Sequence, residues 1–219
     1  MIGLFGGTFD PVHYGHLRPA LEIYSALKLD EMRFIPAAQP PHRQTPQASA
    51  SQRRDMLELA LADQPGFVLD DRELRRAGPS YMIDTLISLR ADLGPARPMC
   101  LVLGLDAFAG LESWHRWQEL LDLAHIVIAQ RPALDQGLAE TQIELSEKLQ
   151  GLLSEHLTEQ PDQLEAQPSG SLYRLTVTQL AISASMIRTA CEKGKSCRYL
   201  LPEAVYQYIQ RTGLYQSPE

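Results

Sequence analysis

The 219-residue chain has no long apolar run. A membrane-spanning helix needs about 20 such residues, so no membrane contact is expected. No charged-then-apolar leader precedes the first apolar run, Met1 to Phe5. A cytoplasmic protein is therefore expected. Cysteine is scarce: Cys100, Cys191 and Cys197 form no C-x-x-C. That odd count argues for free thiols over a disulfide framework, and Cys100, inside an apolar run, reads as core. Basic residues are in deficit, 20 Lys and Arg against 27 Asp and Glu, for a net charge of −7. That charge argues against a general nucleic-acid binder, since no basic face offsets it. Basic residues near a site would then serve a small anionic substrate. The glycines at Gly3, Gly6 and Gly7 do not make G-x-G-x-x-G, and no Gly-Lys-Ser/Thr follows them. There is no Ser-His-Asp or Cys-His arrangement for a covalent intermediate, no dedicated carboxylate cage and no internal repeat. Near His13 and His16 no third and fourth Cys or His ligand is found, so no resident metal such as zinc is expected.

What the chain does have is Gly6-Gly7-Thr8-Phe9-Asp10-Pro11-Val12-His13-Tyr14-Gly15-His16. It follows an apolar strand-like run and leads into a helix-like one. Glycines let a backbone approach a phosphate closely. A helix start adds N–H donors and partial positive charge. Imidazoles can bond charge developing on phosphate oxygens. Each part alone proves little: Gly-Gly turns are common, and His-x-x-His is often structural. Together they form a device for holding a nucleotide's phosphates.

The remaining pattern alternates. Strands are expected at Met1–Phe5, Met32–Pro36, Phe67–Leu69, Met99–Leu103, Ile126–Ala129 and Leu172–Val177. Helices are expected at Gly15–Lys28, Ser51–Asp63 with Ser51 as cap, Ser80–Leu93, Trp117–Leu123, Ser185–Lys193 and Pro202–Thr212. Such alternation implies an α/β, Rossmann-like, doubly wound parallel sheet flanked by helices, a single domain over 1–219. Ligands then sit beyond the carboxyl ends of the strands, where strand order reverses. The stretch 133–170, rich in Gln, Glu and Leu, reads as a helical surface insertion, amphipathic around Ile143, Leu145, Leu149, Leu152 and Leu153. Its alternatives are a contact in a homo-oligomer or a mobile cover.

The first motif closely resembles that of the nucleotidylyltransferase superfamily with H-x-G-H. Its second motif, I-S-[SA]-T-x-x-R, is matched by Ile182-Ser183-Ala184-Ser185-Met186-Ile187-Arg188, with serine keeping the threonine's hydroxyl. Further stretches are Pro36–Arg43, Gln52–Leu57, Gly78-Pro79-Ser80-Tyr81 with Thr85 and Leu86, Gly104-Leu105-Asp106 with Trp114, Arg131-Pro132, Leu200-Leu201-Pro202 and Gly213-Leu214-Tyr215. This succession resembles the bacterial nicotinate-nucleotide adenylyltransferase family along nearly the whole chain, the 133–170 stretch apart.

That resemblance implies a reaction of ATP with nicotinate mononucleotide, giving deamido-NAD and pyrophosphate by in-line attack on the α-phosphorus, with magnesium arriving on the ATP phosphates. It implies that Gly6, Gly7, Thr8 and Phe9 line the nucleotide path by their backbone. His13 and His16 contact ATP phosphates, with His16 serving the transition state. Ser183, Ser185 and Arg188 hold the β- and γ-phosphates. Asp106 is either a turn cap or a ribose- or metal-side contact. Trp114 stacks on the pyridine rather than only packing, and Thr85 bonds the pyridine carboxylate. Arg43 and Arg131 are weaker candidates for anion recognition, each otherwise a surface charge. His115 stands where the family often has tyrosine. Three rivals stay open at this point: preference for the amidated mononucleotide, a pantetheine-phosphate adenylyltransferase, and a catalytically silent nucleotide sensor on the same fold.

Overall fold

A computed structural model describes residues 1–39, 45–130 and 144–216. In chain order its elements are β1 (Ile2–Gly7), α1 (Tyr14–Ala26), β2 (Glu31–Pro36), α2 (Ala50–Leu61), β3 (Phe67–Leu69), α3 (Arg72–Arg75), α4 (Met82–Leu93), β4 (Met99–Gly104), α5 (Leu105–Ala109), 3-10 turns at Leu111–Ser113 and Trp117–Glu119, α6 (Leu120–Leu123), β5 (His125–Gln130), α7 (Glu147–His156), β6 (Leu157–Thr158), α8 (Asp162–Ala166), β7 (Leu172–Thr176), α9 (Ala184–Glu192) and α10 (Glu203–Thr212). Among the described residues, no helix is long and apolar enough to cross a membrane.

The seven strands form one sheet in the order β3-β2-β1-β4-β5-β7-β6, and each recorded pairing is parallel. Parallel neighbours need crossovers, and helices supply them on both faces. Strand β4 shows how its sequence builds this. Met99, Leu101 and Leu103 join the cluster containing Ile83, Leu86 and Leu89 of α4. Cys100 and Val102 point to the other face, with Ala20, Ile23, Met56, Leu57, Ile187, Val205 and Ile209 of α1, α2, α9 and α10. A strand buried on both faces therefore reads as one apolar run. The chain winds outward from β1 through β2 to β3, then returns to β1's other side as β4. Strand order thus reverses between β1 and β4.

One expectation needs correction and one gains detail. The described part of 133–170 is mostly exposed, and it is also tied into the fold. Within it, β6 pairs with β7, and Leu149 and Leu153 of α7 are buried in the α4-side core. Full burial of a leucine side chain is worth ~1.5–3 kcal/mol, so α7 belongs to the helical layer. Residues 133–143, Ile143 included, lie outside the described residues. The α2 cap is Ser49 rather than Ser51: the Ser49 Oγ accepts from the Gln52 N–H, and the Gln52 side chain accepts from the Ser49 N–H. That reciprocal pair satisfies two donors at once.

Candidate active site

Where strand order reverses, the carboxyl ends of β1 and β4 open onto a cavity of about 800 Å³. Its walls include Gly6, Gly7, Thr8, Phe9, His16, Asp106, Trp114 and Arg188. Two motifs from opposite ends of the chain thus meet at one site. Gly15 shows how tightly they are joined. A Cβ there would stand 2.8 Å from the Ile182 carbonyl oxygen and 2.9 Å from the His13 ring. Only glycine lets α1 begin against the second motif. At the strand end, a Cβ on Gly7 would meet the Phe9 ring at 2.8 Å. Phe9 itself has φ 51° and is buried, its ring edge-on to His16 at 5.1 Å.

The two histidines have different positions. Their rings stack with centroids 3.8 Å apart. His16 lines the cavity, and its Nδ1 accepts from the His13 backbone N–H at 3.3 Å. In the neutral ring the proton then belongs to Nε2. His13 is buried behind it and is absent from the cavity wall. Burial brings the His13 pKa down to about 4, keeping the ring uncharged at neutral pH. In this arrangement His13 backs His16.

Arg188, in the second turn of α9, reaches across to the first motif. Its Nη1 donates to the Asp10 carbonyl at 2.7 Å. The Asp10 carboxylate is itself taken by the N–H groups of Gln47 (2.8 Å) and Ala48 (3.1 Å) and by the Tyr215 hydroxyl (2.7 Å). Ser183 caps α9 by accepting from the Met186 N–H, and its hydroxyl lies 3.0 Å from that of Ser185. Both serines are exposed and flank Ala184, which lines the cavity. Asp106 stands exposed in the first turn of α5.

The other end of the cavity is aromatic. Trp114 packs partly against the α4-side core while facing the cavity. Tyr81 and His115, also in the wall, lie 4.4 Å apart at 31°. Thr85 lies behind the wall residue Glu73. It is fully buried, and its hydroxyl donates to the Glu73 carboxylate at 2.6 Å. Arg43 and Arg131 fall outside the described residues. Glu73 lines the cavity although buried, and burial raises its pKa.

The chain matches the cytidylyltransferase-like family over residues 4–190. It is 54% identical to a relative from Methylococcus capsulatus named a nicotinate-nucleotide adenylyltransferase, over 98% of this chain and 99% of that one. The chain belongs to the nicotinate-nucleotide adenylyltransferase family. A similarly named Pseudomonas fluorescens relative is 48% identical, over 99% of this chain and 98% of that one. Among solved structures, a Plasmodium falciparum nicotinic acid mononucleotide adenylyltransferase complexed with NaAD superposes with a TM-score of 0.71, covering 98% of this chain and 96% of that one. At 17% identity it shares the Rossmann-like α/β fold.

Beside the two motifs of this family stand residues that motif reading left without a role. Asp10, Arg53 and Tyr215 are buried around the first motif. Arg53 Nη1 donates to the Thr8 carbonyl at 2.8 Å, while its Nε has no partner among the described residues. A trace of this was present: Arg53 precedes Met56, Leu57 and Leu61 at helical spacing, so a cation sits on α2's apolar face. The Thr8 hydroxyl, also in the cavity wall, is likewise buried without a partner.

Proposed function

We propose that this nucleotidyltransferase joins ATP and nicotinate mononucleotide, releasing pyrophosphate and forming nicotinate adenine dinucleotide for NAD synthesis. The observation that carries the reading is the single cavity, with both phosphate motifs at one end and Trp114, Tyr81 and His115 at the other. ATP lies along Gly6, Gly7, Thr8 and Phe9, with its phosphates between His16, Arg188 and the start of α9. The mononucleotide lies with its pyridine against Trp114. Its phosphate attacks the α-phosphorus in line, a reaction served by positioning and charge neutralisation.

His16 donates to charge building on the phosphate oxygens. His13 and the Asp10 carbonyl hold His16 and Arg188 in place. Ser183 and Ser185 add hydroxyl donors at the rim. Among the described residues, no group of three His, Cys, Asp or Glu could cage a metal. A single exposed carboxylate in the wall fits magnesium, which keeps most of its waters and takes one or two carboxylates plus substrate phosphates. Asp106 is the exposed carboxylate in the wall that would hold it, and the ion would neutralise phosphate charge.

Acid is selected over amide at the start of α4. Its N-cap, Tyr81, makes no side-chain cap, and Tyr81 and Met82 line the cavity. Uncapped N–H groups and the helix dipole favour a carboxylate. A carboxamide would set its own N–H against them. One such unpaired group costs ~1–3 kcal/mol, roughly tenfold discrimination. The test is ATP-dependent pyrophosphate release with acid, amide and pantetheine-phosphate substrates. The acid should have the highest kcat/KM, and Trp114→Ala should weaken mononucleotide use while sparing ATP binding. Equal rates for acid and amide would sink the assignment, and no turnover with any of them would leave a sensor.

A further inference from the structure

Outside the cavity, the chain carries two thiols in contact. Cys191 lies in the last turn of α9, and Cys197 follows a short loop. Their sulfurs are 3.6 Å apart. Both side chains are buried, yet every residue between them, 192–196, is exposed, with Gly194 turning the chain at φ 63°. The exposed loop is the thin side of this cover, through which a small oxidant would reach the sulfurs. We propose that Cys191 and Cys197 are a modification site, forming a reversible disulfide with a low-molecular-weight disulfide as oxidant, and that this bond lowers ATP use by moving Arg188.

The chemistry is ordinary thiol–disulfide exchange. The two sulfurs share one hydrogen bond that either thiol can donate; with Cys191 as the donor, the Cys197 thiol comes down to about 7 and that of Cys191 goes up. In that arrangement Cys197 is the nucleophile and Cys191 the resolving thiol, and the reverse assignment gives the same product. The Cys197 thiolate attacks one sulfur of the small disulfide. That S–S bond breaks, and one thiolate leaves with the electron pair and takes up a proton. Cys191 gives its proton to solvent, attacks the Cys197 sulfur and expels the second small thiolate. The protein dithiol is oxidised by two electrons, and the small disulfide is reduced to two thiols.

The bond would reach both motifs. Forming it draws the sulfurs from 3.6 Å to ~2.05 Å. Arg188 stands one helical turn before Cys191, on the same side of α9. On the other side, the Leu200 N–H donates to the Cys197 carbonyl at 3.2 Å, and the Leu200 carbonyl accepts from the Tyr14 N–H at 3.1 Å. Tyr14 lies between His13 and Gly15. The kinetic half of the inference rests on Arg188 facing ATP; the covalent half does not.

The test treats the reduced full-length protein with glutathione disulfide. Intact mass should fall by two hydrogens per chain. One thiol, Cys100, should remain titratable after unfolding. ATP-dependent pyrophosphate release should fall roughly tenfold, since ~1 Å misplacement can cost up to ~10²-fold, and dithiothreitol should restore it. Cys191→Ser and Cys197→Ser should keep the basal rate and lose the response, while Cys100→Ser should keep both. Three free thiols in treated wild-type protein, or a persistent mixed disulfide, would overturn the site without any variant having to fold. A disulfide that leaves the KM for ATP and kcat unchanged would overturn the link to Arg188. Absence of turnover in the reduced enzyme would instead count against the proposed function, since the mass measurement does not depend on activity.

Discussion

His13 and His16 share one motif and stand in different surroundings, one buried and the other lining the cavity. His13 holds its proton less tightly folded than unfolded, with a pKa near 4 against 6.5. Its contribution to stability is therefore complete above pH 6.5 and is lost as pH falls through 4. That loss is on the order of 3 kcal/mol when complete. Thermal melts of wild type should drop over that window, and His13→Gln should flatten the drop; parallel curves would show that His13 does not titrate there. His16→Ala should instead lower turnover by roughly 10²–10³, the scale for losing a donor to transition-state charge, with a smaller change in ATP affinity. Near-normal turnover in a folded variant would remove His16 from catalysis. Arg188→Lys keeps the charge but loses the planar fork anchored on the Asp10 carbonyl. Its kcat/KM for ATP should fall, and equality with wild type would mean that no fork contact is used. That His16 and Arg188 face one cavity was legible because their motifs are specific strings. The burial of His13 was not, because spacing places two rings at a helix start without saying which faces out. The bond of the Thr85 hydroxyl to Glu73 was not legible either, because Glu73 comes from a separate helix.

At the scale of elements, Gly15 is the joint between α1 and the segment leading into α9. A methyl at Gly15 would press on a carbonyl oxygen that is backbone and cannot rotate away. Gly15→Ala should cost ~1–3 kcal/mol, the usual penalty for overpacking, and should reduce activity further by parting the two motifs. Gly104, at the end of β4, is the contrast. A Cβ there meets no atom within 4 Å, and its φ of −67° suits any residue. Gly104→Ala should leave the melting temperature unchanged, so any loss in kcat/KM reports ligand contact. A melting temperature for Gly15→Ala equal to that of Gly104→Ala would refute the joint. Strands β1, β4 and β5 were legible as uninterrupted apolar runs, since burial on both faces leaves no polar positions. Strand β6 was not, because two residues carry no periodicity. The helix α7 was seen as amphipathic, but an apolar stripe does not name what it packs against. Ser49 was recoverable, since Gln52 follows it at capping-box spacing.

Taken as a whole, the molecule closes its end onto its beginning, and Asp10 is the clasp. Its carboxylate gathers the loop before α2 through Gln47 and Ala48 and the turn after α10 through Tyr215, while its carbonyl anchors Arg188. Motif matching showed two ends of one chain meeting at one site; the tie between them was hidden, because no pattern pairs residues 205 positions apart. Burial and the neighbouring Asp10 raise the Tyr215 pKa, so the phenol stays protonated and donates. Tyr215→Phe deletes that donor and leaves a buried carboxylate with two N–H bonds, at a cost of ~1–3 kcal/mol. Weakened at that corner, Asp10 should hold Arg188 less firmly. The KM for ATP should rise more than that for the mononucleotide, because the aromatic end of the cavity does not lean on Asp10. Tyr199→Phe, at a side chain 84% exposed, supplies the control. If Tyr215→Phe melts with wild type and the Tyr199 variant, the clasp contributes no stability. If both KM values rise together, it does not act through Arg188.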